Sequence, residues 1–320
     1  MSDKWKTKQD GWFFTKKGDS FFSWANIKEI MALLTIVFLI RTFGFGLYQV
    51  PSGSMETTML VGERFFADKF TYLFSAPKRG DIISMNEPIY NYSDNTLKRL
   101  FEEYVWGPSN WTKRIIGLPG ETVEGKIEDG RAVIYINGVK FDEPYLNKYP
   151  LIGVYKVDPS RLFQQIRRGC IDVAFLNDVA TSYSYDPNVS YRDQPFYRIN
   201  PKRIMSSRDG GSYPQLVWPN DVAEPREHHT VIPGESYWDG SDVFHVELGK
   251  DEYWCMGDNR RGSKDCRCFG PIKRGLIHGK ILFLIWSLDS DESWWILDLI
   301  KHPIDFWSRI RWNRCLRMMH

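Results

Sequence analysis

Histidine and cysteine are scarce in this chain, and their scarcity removes several common chemistries at once. Six histidines (His228, His229, His245, His278, His302 and His320) are spread over 320 residues. None sits in a triad signature, and the Gly-x-Ser-x-Gly nucleophile elbow is absent. The adjacent pair His228-His229 reads as surface rather than as a metal site. Five cysteines (Cys170, Cys255, Cys266, Cys268 and Cys315) are too few for a disulfide-built scaffold and lack the spaced partners of structural zinc. Neither sign of charge dominates. The formal net charge of +2 gives no case for a nucleic-acid binder. Internal repeats are absent, and Gly210-Gly211 lacks the spacing and lysine of a phosphate loop. Long uninterrupted apolar runs are missing too: residues 30–40 carry no charge, but eleven residues are too short for a bilayer, which takes about 20.

What is present fills a core. Hydrophobic residues make up 42 % of the chain, and the 15 % aromatic content suggests additional buried or membrane-facing rings. Residues 30–50 extend the apolar run to 21 residues with one charge, Arg41, which near the far end can snorkel to headgroups. This predicts a transmembrane anchor over 30–50 after a cytoplasmic segment, 1–29. Lys4, Lys6, Lys8, Lys16, Lys17 and Lys28 on that flank place the N-terminus in the cytoplasm. No small-x-small site follows the run, which argues against its removal.

Beyond the anchor the pattern becomes strand-like. Residues 63–74 are rich in Phe and Tyr, and 81–85 follow an Arg79-Gly80 turn. Residues 122–128 and 131–136 read as a hairpin about Asp129-Gly130, with a second tight turn at Asn137-Gly138. Further strands are expected at 242–247, 252–256 and 279–288, and a small helix within 90–106. Residues 145–229 are too long for an uninterrupted loop and read as an inserted subdomain. The β domain therefore divides into 51–144 and 230–292. The tail, 293–320, is amphipathic, aromatic and basic; it fits either an anionic membrane surface or packing on its own domain.

Three blocks are candidates for chemistry, although the first alone reads as a structural turn and the second equally as an ordinary sheet edge. Pro51-Ser52-Gly53-Ser54-Met55-Glu56 sets two hydroxyls around a glycine just past the anchor. Trp111-Thr112-Lys113-Arg114-Ile115-Ile116 puts a lysine in an apolar strand, with Arg114 on the opposite face. Gly257-Asp258-Asn259-Arg260-Arg261-Gly262-Ser263-Lys264-Asp265 is a polar turn region. Serine is a poor nucleophile without a base. With no histidine triad in sight, a lysine neutralised by burial is the economical alternative.

These blocks, in this order behind an apolar segment, resemble bacterial type I signal peptidase (leader peptidase), the membrane-bound Ser-Lys serine endopeptidase family. The resemblance implies a mostly β fold: an N-terminal transmembrane helix, then an extracytoplasmic β-sheet catalytic domain with a large insertion. It implies Ser54 as nucleophile, Lys113 as general base, and Ser52 joining the Ser54 N–H in an oxyanion hole. Ser263 is expected to orient the lysine, Asp265 and Arg267 to pair, and Asp258, Asn259 and Arg260 to frame the turn. The substrates implied are secretory pre-proteins, cleaved after an Ala-x-Ala type site through an acyl-enzyme, with no metal or organic cofactor. The implied location is the inner membrane, single-pass, near the export translocon, with no nucleic-acid partner. Thr57 replaces the usual proline, Arg261-Gly262 the usual Asp-Asn, and Cys266 a frequent serine. An anchored β module that binds exported polypeptides, or a self-cleaving Ser-Lys regulator, remain the alternative readings. Cleavage of a precursor in trans separates them.

Overall fold

The computed structural model describes residues 24–104, 109–156, 159–160, 164, 167–168, 180–205, 216–217, 240–290, 292 and 295–319. The first element, α1 (Trp24–Leu39), is followed by a π-helical turn at Ile40–Gly44. At Phe45 the backbone becomes extended (φ −150°, ψ 160°) and β1 begins, Phe45–Gln49. The expected span over 30–50 is thus corrected at its distal end. Residues 45–49 are apolar enough to read as helix, but their hydrogen bonds go to Arg64–Asp68, in register from Phe45 opposite Asp68 to Gln49 opposite Arg64. Among the described residues no helix is long and apolar enough to cross a membrane. Ile30, Met31, Leu33, Leu34, Ile36 and Val37 on α1 are all exposed.

Three antiparallel sheets form among the described residues. The largest runs in the order β1, β2 (Arg64–Asp68), β14 (Ile277–Trp286), β3 (Ile82–Asn86), β4 (Asn110–Gly117), β12 (Glu252–Met256), β13 (Ile272–Lys273). A second runs β11 (Phe244–Glu247), β5 (Thr122–Glu128), β6 (Arg131–Ile136), β7 (Val139–Lys140). Its two turns sit where Asp129-Gly130 and Asn137-Gly138 take positive φ, as type I′ hairpins require. Ile83, Met85, Ile115, Ile116 and Trp254 of the large sheet join Val123, Ile134 and Val246 of the second in one apolar core.

The third sheet, β10 (Leu216–Val217), β8 (Leu151–Tyr155), β9 (Ala180–Ser184), lies within residues 145–229. It packs Ile152, Val154, Tyr197 and Ile199 around Leu60, which follows the first chemical block. Residues 63–74 form a strand only to Asp68; Thr71–Phe74 is a short helical turn, preceded by Asp68, whose carboxylate accepts from the N–H groups of Phe70 and Thr71. The small helix within 90–106 is Thr96–Tyr104. The tail packs on the domain: Phe306 and Ile310 bury against Leu288, and Leu288 bridges Ile310 in antiparallel fashion.

Candidate active site

Between β1 and β2 the chain makes a closed loop. Val50 N donates to Glu63 O (2.8 Å) and Gly62 N to Val50 O (2.9 Å), so the loop is pinned at its neck. Met55, Met59 and Leu60 are buried anchors. Gly53–Met55 is one 3₁₀ turn, and Ser52 before it is extended and exposed. Ser54 is thereby carried to the sheet with its side chain facing β4.

Lys113 reaches the same point from β4. Its Nζ donates to Ser54 Oγ at 3.0 Å and to the Thr112 carbonyl at 3.1 Å. The lysine is 4 % exposed. Desolvation lowers its pKa from 10.5 to about 8, with Asp265 the largest opposing influence. A charged amine has lost its water here and gained too little in return. Ser54 and Lys113 share a cleft of about 420 Å³ with Val50, Pro51, Ser52, Trp111, Gly262 and Lys264. β12 pairs with β4 only from Arg114 onward, so residues 110–113 keep one backbone edge unpaired by any described strand.

Arg114 points the other way, as strand alternation demands. Its Nε and Nη2 grip Asp258 Oδ1 and Oδ2 at 2.9 and 2.8 Å, and its guanidinium lies 4.0 Å over the Tyr145 ring. The third block then closes on the serine turn. Asn259 N donates to Ser54 O (3.0 Å), and Asn259 Nδ2 to Gly53 O (2.9 Å). A Cβ on Gly257 would stand 2.5 Å from Ser54 O, and one on Gly262 would stand 2.7 Å from Asn259 Nδ2. At Gly257 that oxygen is backbone, so glycine is required there; at Gly262 a side chain would instead have to displace the Asn259 amide.

Arg267 Nε and Nη2 bind Asp265 Oδ1 and Oδ2 at 2.8 and 2.9 Å. Burial opposes the Asp265 charge, but the Arg267 pair and the Gly257 N–H keep its carboxyl well below the usual range. Arg260 pairs with Glu143. Cys266 Sγ accepts from Cys255 N at 3.0 Å, so a thiol serves where serine is frequent. Ser263 is buried beside Asp265 and contributes to stabilising that carboxylate, though its geometry falls short of a hydrogen bond. The hydrogen-bond partners of Lys113 Nζ are Ser54 and the Thr112 carbonyl, not Ser263. Among the described residues no cluster of His, Cys, Asp or Glu could hold a metal ion; His228 and His229 lie outside them.

A sequence model of the signal peptidase, peptidase S26 family matches residues 23–286. The chain belongs to that family. It is 24 % identical over 292 residues to the signal peptidase I of Buchnera aphidicola subsp. Acyrthosiphon pisum, covering 84 % of this chain and 77 % of that protein. The signal peptidase I of Aquifex aeolicus is 27 % identical over 268 residues, 82 % and 83 % of the two chains. Signal peptidase I P of Bacillus subtilis subsp. natto is 35 % identical over 133 residues, 42 % of this chain and 60 % of that protein. Family membership makes the chain a peptidase.

Several residues that shape this candidate site were not singled out by sequence reasoning. Glu56 is fully buried two positions after Ser54. Arg314 reaches back from the tail to bind Glu63 and the carbonyls of Thr57 and Thr58. Asn147 N donates to the Asp258 carbonyl. The one local signal was an acid at position 56 amid Met55, Met59 and Leu60.

Proposed function

We propose that this chain is a serine endopeptidase that removes signal peptides from exported pre-proteins, with Ser54 as nucleophile and Lys113 as base. The observation that carries the reading is the 3.0 Å contact between Lys113 Nζ and Ser54 Oγ in a buried setting. The neutral amine takes the hydroxyl proton as Oγ bonds to the scissile carbonyl carbon. The Ser54 N–H and the Ser52 hydroxyl, which lines the same cleft, receive the oxyanion. Lysine then passes its proton to the leaving amine as the C–N bond breaks. Water, deprotonated by the same amine, releases the acyl group and restores the serine.

The edge of residues 110–113 that no described strand pairs suits an extended substrate added as a strand, delivering a small side chain at the first and third positions before the cut. Ser263 acts on the lysine through Asp265, and Asp258, Asn259 and Arg260 hold the turn. The apolar, exposed α1 and the exposed Phe45, Leu47, Phe70 and Phe74 support a membrane-held enzyme. Its N-terminus is cytoplasmic and its β domain extracytoplasmic in the inner membrane, near the translocon, with residues 145–229 as an inserted subdomain. Purified protein should cleave a precursor with an Ala-x-Ala end, and Ser54→Ala should abolish cleavage while the protein stays folded. Undiminished cleavage by Ser54→Ala would discard the assignment.

A further inference from the structure

Glu56 is a fully buried carboxyl two residues after the nucleophile, and the groups that satisfy it come from the insertion. Oε2 accepts from Ser184 N at 2.6 Å and from Ser184 Oγ at 2.5 Å. Oε1 accepts from Tyr197 Oη at 2.7 Å. The contacts continue into a closed ring. Asn147 Nδ2 donates to Ser184 Oγ (2.9 Å), and Asn147 N donates to Asp258 O (3.0 Å). The ring returns through Asn259, whose N–H donates to Ser54 O. The insertion also touches the turn directly, because a Cβ on Gly53 would lie 3.0 Å from Ser182 O. Ser54 is thus held between the Asn259 loop on one side and β9 on the other.

We infer that Glu56 is a positioning residue through which the inserted unit sets the direction of Ser54 Oγ toward Lys113. A carboxyl at this depth persists only while its oxygens are satisfied, so moving Ser184 or Tyr197 moves the turn that Glu56 belongs to. Its other neighbours are Tyr183, whose ring lies 4.2 Å from that of Tyr197, and Arg311 from the C-terminal segment, over the Tyr197 ring at 5.0 Å. Burial raises the Glu56 pKa to about 7, opposed by Ser184, Tyr197 and Arg311. The ionised form accepts all three hydrogen bonds. Protonation reverses one of the two hydroxyl contacts, to Tyr197 or to Ser184 Oγ, since only the Ser184 N–H is fixed as a donor. Turnover should therefore carry a rise with pH near 7 in addition to the rise set by Lys113.

The inference rests on Ser54 and Lys113 acting as proposed. The test is kcat, KM and the pH–rate profile of the full chain in detergent on an Ala-x-Ala precursor, with thermal unfolding followed in parallel. Tyr197→Phe should lower kcat by about tenfold or more, with KM changed less than about twofold. Glu56→Gln should retain more turnover than Glu56→Leu and should lose the step near 7, leaving one rise near 8. Lower melting temperatures with kcat and pH profile unchanged would make the contact merely structural and overturn the inference. If Tyr197→Phe does not fold, the Glu56→Gln profile decides alone, and two remaining steps overturn it. A Ser54→Ala enzyme that still cleaves overturns the nucleophile assignment instead, and this inference with it.

Discussion

Lys113 is 4 % exposed and lies 3.0 Å from Ser54 Oγ, so its protonation state bears on stability and, in the proposed mechanism, on chemistry. Its pKa falls to about 8 through desolvation, and the neutral fraction grows as pH rises through that value. Cleavage should keep climbing with pH through about 8, beyond the step that Glu56 adds near 7; a rate flat from about 7.5 to 9 would contradict a lysine base. Lys113→Arg keeps charge and length but supplies no base, and single-turnover cleavage should fall by about 10³-fold or more. The stability sign is opposite to that of an ion-paired lysine. The folded value lies below the unfolded one, so the unfolded chain binds the extra proton between about 8 and 10.5. At pH 7 the buried amine therefore costs on the order of 3 kcal/mol. Lys113→Met should melt at a higher temperature than the native chain at pH 7, with the gap closing above pH 10.

β4 works because adjacent residues face opposite ways. Lys113 turns to the serine and Arg114 to Asp258, and that pair is almost wholly excluded from solvent, with side-chain exposures of 2 % and 0 %. The alternation was readable in the sequence; the partner 144 residues away was not. Asp258 also accepts from Thr58 Oγ1 at 2.6 Å, tying the strand to the loop that carries Ser54. Removing one member of a buried pair strands the other charge, so Asp258→Ala should cost about 3–5 kcal/mol. Urea unfolding should show this as a lower midpoint at an unchanged slope. A loss under about 1 kcal/mol would mean that water reaches Arg114.

At the scale of the molecule, the C-terminal segment serves two purposes. It braces the loop between β1 and β2: Arg314 Nε meets Glu63 Oε1 at 2.5 Å, and Glu63 also accepts from Leu60 N and Ser287 Oγ. It also presents apolar groups outward, with Ile304 89 % and Trp307 53 % exposed. Covering such a side chain stabilises by about 1.5–3 kcal/mol. Ile304→Asp combined with Trp307→Ser should weaken binding to phospholipid vesicles by about tenfold or more, while detergent-phase cleavage of a short peptide is retained. Equal vesicle binding by the variant would place the contact elsewhere. The sequence left membrane contact and packing on the domain as alternatives for this tail. Its buried Phe306 and exposed Ile304 lie two residues apart, so packing is observed and a surface for membrane contact is still presented.

Much of the architecture was legible because local chemistry wrote it. The hairpin of β5 and β6 follows from period-two apolar residues around Asp129-Gly130, and the three blocks held the candidate site residues in recognisable company. The end of the apolar helix was not legible. Residues 45–49 suit helix or strand equally in apolar content, and only pairing with Arg64–Asp68 made them a strand. The value of each polar residue was also beyond the sequence. Lys113 becomes a candidate base, and Glu56 a buried carboxyl titrating near 7, through desolvation by chain segments distant in sequence. Burial is a property of packing, so the residue types came from the chain and their protonation from the tertiary structure.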